Sequence, residues 1–126
     1  MLFKQLFENE SSTYTYLISC QDKQEAILID PVIETLQRDI RILEQMNLKL
    51  TYAIDTHIHA DHVTSAAALR EITNCKIAGP AGDNLTCRDI NFKDKDYLII
   101  GNNIKLEAIY TPGHTDTHFS YILKNN

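Results

Sequence analysis

Strand-like and helix-like segments alternate along this chain, and the alternation predicts an α/β fold. Two observations carry that prediction. Short runs rich in β-branched and aromatic residues, such as 13–19 (TYTYLIS) and 50–56 (LTYAIDT), read as strands. Between them Ile33, Leu36, Ile40 and Leu43 recur at spacings of three and four residues, which places them on one apolar stripe of a helix.

The elements follow in order. Residues 2–7 alternate imperfectly and read as a first strand, 13–19 as a second and 25–30 (EAILID) as a third, with polar turns at 9–12 and 21–23. Pro31 opens the first helix, with Asp30 placed to cap it and Glu34 and Arg38 forming an i,i+4 pair on another face. Residues 50–56 read as a buried strand. Residues 63–72 follow as a second helix whose run of alanines suits close packing. A short strand is expected at 75–78 and a polar loop at 79–95, where Gly-Pro and Gly-Asp interrupt the pattern. Residues 97–100 and 104–110 flank Gly101-Asn102-Asn103, a hairpin signal. A turn at 111–115 and a last strand at 119–123 complete the chain.

With 126 residues the chain suits one domain, and its 44% apolar content is ordinary for a globular one. Seventeen acids against twelve bases give a net charge of −5, which argues against a nucleic-acid or membrane-surface binder. Cys20, Cys75 and Cys87 are odd in number and widely spaced, so neither a disulfide framework nor a structural zinc site is expected. Cys20 and Cys75 read as small buried hydrophobes. The opening MLFKQLF is too polar for a signal peptide and too short for a membrane span, and a cytoplasmic location is the expectation.

All five histidines fall in two short stretches, 57–62 and 114–118. His57, His59, Asp61 and His62 sit where a strand gives way to a helix, the edge at which α/β proteins place ligands. Imidazole nitrogen and carboxylate oxygen suit zinc, iron or manganese. Pro112 and Gly113 force a tight turn, from which His114 can project toward the same edge. His118 reads as structural or exposed.

THIHADH at 56–62 and TPGHT at 111–115 match two metal motifs of the metallo-β-lactamase superfamily. With KQLFENESSTYTYLI and AILIDPVIETLQRDIRILEQ, the chain resembles the persulfide dioxygenases (sulfur dioxygenases), relatives of glyoxalase II, over essentially its whole length. The resemblance implies the αβ/βα sandwich of that superfamily, of which residues 1–126 would form a partial domain, the N-terminal half. It implies oxidation of glutathione persulfide by O2 to sulfite and glutathione at one non-haem Fe(II). His57 and His114 map onto the two histidine ligands of the iron, with His59, Asp61 and His62 around them. In the two-metal relatives His59 is also a direct ligand, and Asp61 and His62 serve the second metal. The candidate metal set is thus His57, His59 and His114, and Asp61 and His62 are the candidate catalytic groups.

The resemblance also implies a carboxylate ligand in a TGD-like motif that lies beyond the pattern found here. Asp116, the carboxylate nearest His114, does not match that ligand position. Three expectations follow: weak or no activity for the chain alone, a bare inner sheet face, and self-association through that face. An alternative reading is a glyoxalase II-like thioester hydrolase with Zn2+, and another is a non-catalytic metal-binding fragment.

Overall fold

The computed structural model describes residues 1–8, 13–56, 60–83, 87–113 and 118–125, with the side chains of residues 13, 60–64 and 125 outside that description. Six strands form one sheet in sequence order: β1 (Leu2–Glu8), β2 (Thr13–Cys20), β3 (Glu25–Ile29), β4 (Lys49–Ile54), β5 (Lys76–Pro80) and β6 (Ile90–Phe92). The first three pair antiparallel and β3 to β6 pair parallel. Helix α1 (Leu36–Gln45) connects β3 to β4, and α2 (Ala60–Thr73) connects β4 to β5. Strands β7 (Tyr97–Ile100), β8 (Ile104–Tyr110) and β9 (Phe119–Asn125) form a separate antiparallel sheet. The α/β expectation therefore holds.

Period-two alternation divides the core between two layers. In β3, Ala26 and Leu28 join Leu43, Leu50, Leu69 and Ile77 on the helix side. Ile27 and Ile29 face the other way and pack with Ile54, Ile104, Leu106 and Phe119 between the sheets. Strand β3 is buried on both faces, so it reads as a continuous apolar run. Three of the four residues of the predicted stripe lie on α1, where Leu43 is buried and Leu36 and Ile40 pack beside it; Ile33 falls instead in a 3-10 turn (Ile33–Thr35) ahead of the helix and is not part of that cluster. Cys20 and Cys75 are buried free thiols, as expected, and Cys87 is partly exposed.

Several local expectations are corrected. The stretch 79–95 is not all loop: β5 runs on through Pro80, and β6 pairs parallel to it with Phe92 buried. Helix α2 begins at Ala60, earlier than its apolar pattern suggested. Arg38 does not pair with Glu34; it reaches Asp39 at 3.2 Å and donates to the Phe7 carbonyl at 2.8 Å. The inner sheet face is not left bare. Strands β7 to β9 cover it from the C-terminal half of β2 to β6, because the hairpin and the last strand alone make a second sheet. On that face exposure persists where three strands do not span six: Phe3, Phe7 and Tyr14 on β1 and β2 are about half exposed. No helix among the described residues is long and apolar enough to cross a membrane.

Two positions generate predictions. Gly101 turns the β7–β8 hairpin with φ +61°, its amide donates to Glu25 Oε1 at 3.0 Å, and a methyl there would stand 2.8 Å from Cys20 Cβ. Gly101→Ala combines backbone strain with a steric clash and should cost about 2 kcal/mol or more, read as a lower denaturation midpoint in urea. Asp39 is buried on α1, where burial pushes its carboxyl up to about 6 from the usual 3.8 against the pull of Arg38. The folded state then holds a proton that the unfolded state releases. Stability contributed by Asp39 is present below about pH 4 and lost as pH rises through about 6. Asp39→Asn should remove up to about 3 kcal/mol of that decline, measured by chemical denaturation at several pH values.

Candidate metal centre

Strand β4 ends at Ile54, and the next two residues are held from several elements. The Asp55 amide donates to the Ala78 carbonyl at 3.0 Å, which prolongs the pairing with β5. The Asp55 carbonyl accepts from the Tyr121 hydroxyl at 2.6 Å. The Thr56 amide and hydroxyl donate to Asp30 Oδ1 at 2.8 Å and Oδ2 at 2.7 Å. The Thr56 carbonyl accepts from the Phe119 amide at 2.8 Å.

Asp30 makes this possible through an unusual backbone. It has φ +55°, a conformation that Asp adopts more readily than most residues. Its amide donates to the Ile54 carbonyl at 2.7 Å, and its own carbonyl accepts from Thr15 Oγ1 at 3.0 Å. The expectation that Asp30 caps the first helix is therefore corrected: α1 has Thr35 at its N-cap with no side-chain cap bond, and the Asp30 carboxylate is spent on Thr56. Burial pushes that carboxyl up to about 6, although both Thr56 bonds favour its charged form.

The second histidine stretch is closed at its base. The Thr111 amide donates to the His118 carbonyl at 3.0 Å. Thr111 Oγ1 lies 3.3 Å from His118 Nδ1 and 2.8 Å from Ser120 Oγ. His118 is half-buried and tied to Thr111, in keeping with a structural role. Because Phe119 bonds Thr56, the chain leaves for His57 and returns from the 114–117 stretch at one junction between the sheets.

His57, His59 and His114 lie outside the described residues, as does Asp116. Asp61 and His62 fall in the first turn of α2, with side chains outside the description. Among the described residues no group of three or more His, Cys, Asp or Glu side chains could hold a metal. The donor chemistry of the undescribed set does suit one: four imidazoles and two carboxylates, no thiolate, on segments joined at the Thr56–Phe119 bond.

Sequence reasoning missed the charges beneath this junction. Asp55 is buried against Arg88 at 2.9 Å, and burial pushes its carboxyl up to about 6 against the Arg88 charge. Tyr121 is raised well above its usual value by burial, then by Asp30 and Asp55, so it remains a proton donor to the Asp55 carbonyl. Only the adjacency of Asp55 to the histidine motif could have signalled this layer.

Residues 9–126 match the metallo-beta-lactamase superfamily. The chain belongs to that superfamily. It is 38% identical over 129 residues to the mitochondrial persulfide dioxygenase ETHE1 of Bos taurus, covering 100% of this chain and 49% of the relative. The crystal structure of ETHE1 from Myxococcus xanthus is similar with a TM-score of 0.90 and 42% identity, over 98% of this chain and 54% of that one. A hydroxyacylglutathione hydrolase of a Polaromonas species is 30% identical, over 87% of this chain and 42% of its own length. The chain thus spans about half the length of the relatives it matches.

Asp30→Asn keeps an acceptor oxygen for the Thr56 amide but turns the Thr56 hydroxyl from donor to acceptor of the new N–H, and both bonds lose their charged acceptor. The expected cost is about 1.5–3 kcal/mol, with faster hydrogen exchange at the Thr56 amide.

Proposed function

We propose that residues 1–126 are part of a metallo-β-lactamase-like domain serving an Fe(II)-dependent persulfide dioxygenase that acts on glutathione persulfide. The observation that carries this reading is the Phe119–Thr56 hydrogen bond, 2.8 Å long, which anchors THIHADH and the stretch holding His114 at one point. Similarity to the persulfide dioxygenases supports the substrate class. In this reading His57, His59 and His114 hold the metal, while Asp61 and His62 orient imidazoles or move protons near it. An Fe(II) ion bound there would supply open positions for O2 and a substrate thiolate. Asp30 and Thr56 fix the backbone from which the first ligand leaves.

The 30% identity to a hydroxyacylglutathione hydrolase favours a second reading, thioester hydrolysis with Zn2+. The two separate on metal and chemistry. The persulfide reading expects Fe(II) retention and, in a protein of the relatives' length, oxygen uptake with glutathione persulfide; the other expects Zn2+ and thioester cleavage. In the 126-residue chain, His57→Ala or His114→Ala should bring bound Fe(II) below roughly a tenth of wild type by elemental analysis, whereas His118→Ala should retain it. Equal metal content in all three variants would count against the site.

A further inference from the structure

Arg88 enters the buried layer from the segment before β6, with its side chain 1% exposed. Its Nη2 donates to Asp55 Oδ2 at 2.9 Å, and its Nη1 donates to Asp83 Oδ2 at 2.7 Å and to the Pro80 carbonyl at 3.0 Å. Its Nε is buried with no hydrogen-bond partner among the described residues. The guanidinium crosses β5 at Gly79, where an added methyl would stand 2.6 Å from Nε and 2.8 Å from Nη1. One cation therefore ties the end of β4 to both ends of the β5–β6 connection, and β5 omits a side chain to let it pass.

Stability alone does not call for this arrangement. Burying ions is costly, and apolar side chains of similar volume often serve as well or better. What the clamp provides is a fixed position for Asp55, two residues before His57. We propose that Arg88 is a positioning residue for the histidine motif, acting through Asp55 to set how the chain leaves β4 toward its first metal ligand. The inference rests on the reading of that motif as a metal site.

The test compares the wild-type chain with Arg88→Met, Arg88→Lys, Asp83→Asn and Leu43→Ala. Leu43, in the helix-side core, controls for lost stability alone. Three quantities are read: Zn2+ affinity by competition with a chromophoric chelator, the visible bands of the Co2+-loaded chain, and Thr56 amide exchange in the metal-free chain. Arg88→Met should weaken Zn2+ binding about tenfold or more, shift the Co2+ bands and speed Thr56 exchange. Asp83→Asn should move each readout less, and Arg88→Lys should restore part of the affinity. Leu43→Ala should lower Tm and leave Zn2+ affinity unchanged. If Arg88→Met does not fold, Arg88→Lys and Asp83→Asn decide. Unchanged Zn2+ affinity and Thr56 exchange in every folded Arg88 and Asp83 variant would overturn the proposal. A wild-type chain that binds no Zn2+ would instead overturn the metal-site reading, and Thr56 exchange would then decide the clamp by itself.

Discussion

Thr56 is where the two sheets and the two histidine stretches are joined. Its amide and hydroxyl both go to the Asp30 carboxylate, and its carbonyl accepts from Phe119. Charge-assisted bonds of this kind are among the stronger polar contacts in proteins. They bring β3, β4 and β9 together at the C-terminal edge of the parallel strands, the edge at which α/β sheets gather their ligands. Without this knot the second sheet would still pack by burying Leu106 and Phe119, and the Tyr121 hydroxyl on the Asp55 carbonyl would be left to set the start of β9 against the end of β4.

The apolar layers and the polar edge divide the work. Two cores, one under the helices and one between the sheets, hold the strands in order. Directional contacts then fix the few residues that lead into the motif. Asp30, Asp55 and Tyr121 all lie close to that exit, and burial raises the proton affinity of each. Such a concentration of perturbed groups is expected where a fold prepares a site. Asp39 shows that the same shift also arises outside the histidine motifs, where a carboxylate is simply buried on a helix beside Arg38 and Thr35.

Much of the fold was legible because burial leaves a period in the chain. The stripe on α1, the alternation in β8 and the Gly101 turn each report a local geometry that side-chain pattern alone reveals. β6 escaped because Ile90 and Phe92 are only two apolar positions in a polar stretch, too few to make a pattern. Asp30 was misread because Asp-Pro ahead of a helical stripe is a capping signal in local terms. A positive φ instead commits its carboxylate to a residue 26 positions later.

The sequence by itself determined the element types except β6, the family motifs and the donor chemistry of the histidine clusters, because each depends on neighbours a few residues apart. Tertiary structure alone decided that Asp30 serves Thr56, that Arg88 clamps Asp55 across 33 residues, and that Tyr121 meets Asp55 across 66. Those partners are chosen by strand order and sheet packing. A chain read residue by residue carries no record of which strands will lie side by side.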